Sequence, residues 1–360
     1  MTRFVTKAAA LTAVLFPLVG AGVAGAQSQA VDEKTGPVSF ANIASVRIGS
    51  EGQKGGALIT ETQRSPLLPG QSKLGTDRVS VPKDDGERAT FGGHYQIDLG
   101  RYSNGNPFPA GVASRDHNVV AALQASTVPT AVAETNYALR DTWQGGAKPV
   151  DNTVLVLEGA KTAVDCTGPA KLTGTSSVSK LWVRQGDGLG IVPMPGGNAG
   201  IELKNLRLGP PGDITNASKD TTVSDLRLTR VGAFDQLIRQ DGWRGGDYTA
   251  VAGWRVEITT HVKDAAGTAL QDVRTNIVLG GVSCSVPKGF VAKAGGPSGG
   301  TNASQAAVPT QVPAGYLGAA APDTGSDGSR VPLGIGLLFG GVFFGAVALL
   351  LGRRRNSGTD

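Results

Sequence analysis

Between Trp254 and Leu279 apolar and polar residues alternate with a period of two on either side of a turn at Asp264-Ala-Ala-Gly267. Trp254, Val256, Ile258, Thr260 and Val262 fall on one face going out, and Val273, Thr275, Ile277 and Leu279 on one face coming back. Successive side chains of a strand point to opposite faces, so this pattern predicts two long antiparallel strands with one buried and one wet face. A helix would scatter the same residues around its whole circumference. The chain near this hairpin is therefore expected to lie in a sheet.

Most of the remaining chain reads the same way. Residues 38–48, 57–62, 78–81, 95–99, 118–125 and 130–139 are strand-like, separated by Gly, Pro and Asp clusters and by the turn Asn104-Gly105-Asn106-Pro107. Further strands are expected at 153–157 and 162–166, with a Glu158-Gly159 turn between them, and at 178–183, 200–208 and 223–231. A slip of phase after Val223 suggests a bulge. One short helix is expected at 234–240. The fold class that follows is all-β, an antiparallel β-sandwich from residue 38 to 293, as one large sandwich or two smaller ones split near 145–152. About 250 residues can bury a substantial core.

The two ends of the chain have a different composition. Residues 1–26 hold Arg3 and Lys7, an apolar run, and Ala24-Gly25-Ala26, the layout of a signal peptide cut between Ala26 and Gln27 by signal peptidase. A polar lead-in covers 27–37. Residues 294–330 are rich in Gly, Ser, Ala, Pro and Thr, with too little apolar surface to order themselves, and are expected to form a flexible stalk. Residues 331–351 carry no charge, and at a helical rise they would extend roughly 30 Å, enough to cross a bilayer. Arg353, Arg354 and Arg355 in the tail 352–360 would remain cytoplasmic, placing the bulk of the chain outside.

Within the stalk, Ala321-Pro322-Asp323-Thr324-Gly325 precedes the apolar run and the arginines. This order resembles the C-terminal sorting signal of Gram-positive sortase substrates, in the variant form of actinobacterial surface proteins with Ala321 where a leading Leu is commonest. The resemblance implies cleavage between Thr324 and Gly325, with Pro322 shaping the extended peptide. It further implies transfer to cell-wall peptidoglycan, or retention as a single-span membrane protein where sortase does not act. It covers about forty residues and implies no activity for the rest of the chain.

The net charge of +5 needs to be located before it is interpreted. The two ends hold four of the five excess positive charges, so residues 27–330 are nearly neutral. With no basic run interleaved with aromatics, nucleic acid is not an expected partner. The only two cysteines, Cys166 and Cys284, both lie in the exported part, where an even pair reads as a disulfide. Closing so long a loop is worth about 4 to 5 kcal/mol in the chain-entropy model. Cys284 is expected just past the end of the last strand.

Residues able to do chemistry are sparse. His94, His117 and His261 show no metal-ligand spacing, and no metal, cofactor or catalytic residue is assigned. Asp116-His117 would point to opposite faces of a strand. Asp84-Asp85-Gly86-Glu87 lacks the EF-hand spacing and reads as a solvated turn. Gly296-Pro-Ser298-Gly-Gly300 matches a nucleophile motif in letters alone, since no strand precedes it and no helix follows. One repeat stands out: Asp141-Thr-Trp143-Gln-Gly145-Gly146 and Asp241-Gly-Trp243-Arg-Gly245-Gly246 share D-x-W-x-G-G. An exposed Trp beside Asp suits a carbohydrate, so Trp143, Trp243, Asp141 and Asp241 are candidate glycan contacts; otherwise each Trp plugs the end of a sandwich. The expected role is non-enzymatic, structural or adhesive, with a carbohydrate or protein ligand. The competing expectation is a hydrolase of wall or extracellular polysaccharide using Asp235, Asp241 and Asp247 near Trp243.

Overall fold

The computed structural model describes residues 29–293 apart from 50–55, 92, 103–104, 187, 195 and 197–198. The signal peptide and its Ala26/Gln27 cut, the stalk, the Ala321–Gly325 motif, the apolar run 331–351 and the basic tail lie outside the described residues. Among those described, no helix is long and apolar enough to cross a membrane.

The first strands are Val38–Ala41 (β1), Ala44–Ile48 (β2), Ala57–Ile59 (β3), Gln63–Arg64 (β4), Gly70–Lys73 (β5) and Ser80–Val81 (β6). Tyr95–Leu99 (β7), Asn118–Leu123 (β8), Pro129–Asp141 (β9), Thr153–Gly168 (β10), Lys171–Ser177 (β11) and Lys180–Gln185 (β12) follow. Gly188–Val192 (β13), Ile201–Leu206 (β14), Val223–Arg230 (β15), Tyr248–Lys263 (β16) and Ala269–Val286 (β17) complete the series. A short helix, Asp85–Phe91 (α1), lies between β6 and β7.

The strands form two antiparallel sheets. The first runs β14-β15-β16-β17-β1-β4, with β2 beside the other half of β17 and β3 beyond it. The second runs β13-β12-β10-β9-β7-β6, with β11 on β10, β8 on β9 and β5 on β8. The chain leaves the first sheet after β4, builds the whole second sheet, and returns at β14. Residues 145–152, where a split is expected, join β9 to its neighbour β10 inside one sheet, so a cut there would divide a ladder rather than separate two cores.

Inward side chains of both sheets make one apolar core. Leu226, Trp254, Val256, Ile258, Ile277 and Leu279 of the first meet Ile97, Leu99, Tyr137, Leu139, Leu155 and Leu157 of the second. The alternation that marks β16 is thus its core face, and each such side chain contributes roughly 1.5–3 kcal/mol by leaving water. Cys166 on β10 and Cys284 on β17 are bonded across the two sheets, Cα atoms 6.0 Å apart. Cys284 lies within β17 rather than beyond it, because the strand continues, buried, to Val286.

Two of the longest strands each carry a glycine bulge. Gly159 on β10 has φ +61° and Gly280 on β17 has φ +60°, a conformation that favours glycine. At Gly159 two residues of β10 face one of β9, and the Asn136 side-chain oxygen accepts the Gly159 N–H (2.6 Å). Glu158-Gly159 is therefore a bulge inside one strand and not a turn between two. Between the sheets the Tyr137 hydroxyl donates to the Ile43 carbonyl (2.9 Å) and the Thr162 hydroxyl to the Gly280 carbonyl (2.6 Å). The Ile43 carbonyl also accepts the Gly280 N–H (2.8 Å), so side chains of the second sheet add to the backbone bonding of the first at this bulge.

Three local expectations change. No register shift interrupts β15 against β16; Ser224 takes the inward place near Val223, its hydroxyl donating to the Leu208 carbonyl (2.7 Å). The irregularity lies on β14, between Leu203 and Leu206, where Asn205 has φ +55°. Asp84-Asp85-Gly86-Glu87 starts α1, with Asp84 accepting the Glu87 N–H (3.1 Å) and Glu87 accepting the Lys83 N–H (2.7 Å). The expected helix at 234–240 is a single 3-10 turn, Phe234–Gln236.

Candidate binding groove

The two D-x-W-x-G-G stretches occupy unlike places. Trp143 is buried at one end of the sheets, with His94 near its ring and Gly209 so close that an added Cβ would stand 2.2 Å from the indole. Asp141, also buried, accepts the Trp143 N–H (2.8 Å) and the Gly209 N–H (2.7 Å). Burial raises the Asp141 carboxyl above its ordinary value despite these bonds. Trp243 instead lies on the outer face of the first sheet, stacked on Phe40 at 5.3 Å with its N–H donating to Thr62 (2.9 Å). Asp241 is exposed in the turn before it. Both indoles are buried, so neither offers a free ring face to a sugar. Trp182 is half-buried on the second sheet, its N–H donating to Glu158 (3.0 Å).

The histidines have structural partners. His94 contacts the Pro210 carbonyl through Nδ1 (2.9 Å) and Asp213 through Nε2 (3.1 Å). His117 is buried, with Nε2 at 2.8 Å from the Gly75 carbonyl, and burial lowers its pKa. His261 on β16 has its Nδ1 at 2.9 Å from Asp272 and its Nε2 at 3.9 Å from Asp225. Near α1, buried Arg78 donates in pairs to Glu61 (2.7 and 2.7 Å) and to Glu87 (3.0 and 2.7 Å). The arginine's hydrogen bonds pull Glu87 below its usual value; Glu61 is raised by burial but lowered further by the same arginine. This clamp ties α1 to the segment after β3. Among the described residues no three His, Cys, Asp or Glu side chains are grouped to hold a metal.

A more open site lies on the outer face of the first sheet. Val231, Leu237, Ile238 and Trp243 from the loop after β15 cover part of that face, packing on Val38, Phe40 and Val278. Where the cover ends, a cleft of about 320 Å³ runs between residues 235–238 and Arg47, Arg255, Asn276 and Val278. A second, of about 350 Å³, adjoins it and shares Arg47, Arg255 and Asn276, adding Arg274 and Glu257. The register explains the grouping: Arg47 on β2 faces Asn276 on β17, which faces Glu257 on β16, so all three share the solvent side. Arg255 bonds Glu257 at 2.8 Å, whereas Arg47 and Arg274 have no acidic partner among the described residues.

Asp235 lines this groove, but Asp241 and Asp247 do not. Asp247 accepts the Lys288 N–H (2.6 Å). Local patterning marks the arginines only as polar outward positions of β2, β16 and β17. Bringing them together needs β2 and β16 to flank β17, a pairing between segments some two hundred residues apart. The chain matches no known family, no curated protein and no solved structure.

Proposed function

We propose that this chain is a non-enzymatic protein displayed outside a bacterial envelope, its ectodomain a single β-sandwich with a structural or adhesive, ligand-binding role. The observation that carries the reading is the order of the C-terminal features: Ala321-Pro-Asp-Thr-Gly325, an apolar run of membrane length, and Arg353-Arg354-Arg355. The N-terminal Arg3 and Lys7, apolar run and Ala24-Gly25-Ala26 support export in the same direction. The Cys166–Cys284 bond suits an oxidising compartment, and an all-β scaffold with a groove on one outer face suits binding. Signal peptidase and sortase are the processing partners on this reading, and peptidoglycan or the membrane holds the product.

The mass of the C-terminal peptide from a cell-wall digest tests it. A peptide ending at Thr324 and cross-linked to wall material is the expected result. Recovery of Arg353 to Arg355 still joined to the ectodomain in the wall fraction would refute sorting.

A further inference from the structure

The groove has three features that together select a ligand. Its two adjoining clefts hold Arg47, Arg255 and Arg274 against Asp235 and Glu257, a modest positive balance with acids of its own. β2 and β16 flank β17, so about 10 Å separates the strands that carry Arg47, opposite Asn276, and Arg255, opposite Val278, and both arginines line the cleft. Arg255 keeps donors to spare, since a guanidinium has five N–H groups and Glu257 is one acceptor.

The second feature lies behind the cleft. Asn42 is 1 % exposed, and neither its amide nitrogen nor its oxygen has a hydrogen-bond partner. Its oxygen converges with Leu237 and Val278, both of which line the cleft, on Gly281, at 3.0, 3.4 and 3.3 Å from where a Cβ would stand. Ser45, paired with Val278 in the ladder, likewise has an unpartnered hydroxyl. Unpaired buried polar groups each cost about 1–3 kcal/mol, and these two lie near Val278, which lines the cleft, without lining it themselves. The third feature is size. Each cleft falls at the lower end of the roughly 300–1,000 Å³ range of small-ligand sites, and the two share Arg47, Arg255 and Asn276.

We propose that this groove binds a segment of polysaccharide bearing isolated carboxylates, one carboxylate held between Arg47 and Arg255 and the sugar hydroxyls donating to Asp235 and Glu257. Planar guanidinium groups match carboxylates in geometry. The two acids of the groove accept from hydroxyls but repel a densely charged chain, which disfavours polyphosphates and acidic peptides. The proposal rests on the binding role above and not on how the chain is anchored. The wall-digest peptide tests anchoring and the following titration tests the groove, so failure of either is read separately.

The experiment is calorimetric titration of the full chain in detergent with a hexasaccharide of alternating glucuronate and N-acetylglucosamine, which bears a carboxylate on every second sugar only. Maltohexaose, oligo-glutamate and a polyglycerol phosphate serve as competitors of other chemistry. Binding of this hexasaccharide that weakens with added salt is expected. The double substitution Arg47→Ala/Arg255→Ala should weaken it at least about tenfold, as for loss of charge-assisted bonds. Arg88→Ala on α1 should leave it unchanged. Arg47→Glu changes one exposed side chain and should abolish binding even where the double variant folds poorly. Absence of binding, equal binding of any competitor, or affinity untouched by Arg47→Glu would overturn the proposal.

Discussion

The stretches Asp141–Gly146 and Asp241–Gly246 share four letters in six and do different work. The first ends strand β9, and its aspartate accepts the N–H of Trp143 two residues ahead and that of Gly209 across the structure, joining the second sheet to the β14–β15 connection of the first. The second follows a 3-10 turn and pins a loop onto the outer face of one sheet through Phe40 and Thr62. Both bury the indole, since a tryptophan gains most by leaving water, whatever stands around it. Only one buries the aspartate. Identical residues thus serve one shared purpose, burying an indole, and one that belongs to place.

That contrast can be broken by experiment. The largest effects should come where the stretches agree: Trp143→Ala and Trp243→Ala should each lose about 3–5 kcal/mol in urea unfolding. An exposed indole in solution would show instead a loss below about 0.5 kcal/mol. They should part at the aspartate. Asp141→Ala strips two buried N–H groups of their acceptor and should cost about 2–3 kcal/mol, while Asp241→Ala should stay within about 0.5 kcal/mol. Equal costs would mean that the two sites are equivalent after all.

Smaller differences lie in the glycines and in acid. Gly145 has φ +77°, so Gly145→Ala should cost about 1–2 kcal/mol from backbone strain. Gly245 lacks that conformation, and Gly245→Ala should cost less than about 0.5 kcal/mol by thermal melt. The pH dependence of Asp141 should run opposite to that of Glu87. Burial raises the folded Asp141 pKa above 3.8, so wild type should gain stability over Asp141→Asn as pH falls through that raised value, levelling off below 3.8. Arg78 lowers the folded Glu87 pKa below 4.5, so the penalty of Glu87→Gln should be full above 4.5 and fade as pH falls through the lowered value. Acid melts of the two variants, compared with wild type, read both signs.

Much of the sheet structure was legible in the chain. Residues 95–99 were expected as a strand and form β7 with the same bounds, and the Trp254-to-Leu279 hairpin is β16 and β17. What escaped was irregular or weakly apolar. β11 and β5 carry Gly, Ser, Thr and Lys, with little alternation to reveal them, and form because β10 and β8 offer unpaired edges. The helix α1 was hidden in an acidic cluster, although Asp84 and Glu87 stand at capping-box spacing, a signal that was present in the letters. Glu158-Gly159 looks like a turn because Gly is common in both turns and bulges; the decision belongs to β9, which pairs with β10 on both sides of it.

By itself the sequence determined that the middle of this chain is strand-rich, that two cysteines stand ready to pair, and that each end carries an apolar run beside basic residues. Those properties are local, since side-chain alternation, a run of apolar residues or a cluster of charge needs no distant partner to be read. The tertiary structure alone decided that β1 pairs with β17, that Gly159 lies in a bulge and not a turn, that two like tryptophans meet unlike neighbours, and that Arg47, Arg255 and Asn276 border one groove. Each of those depends on which segments, far apart in the chain, lie side by side. Register and burial are set by the sum of many long-range contacts, and no short stretch of letters contains them.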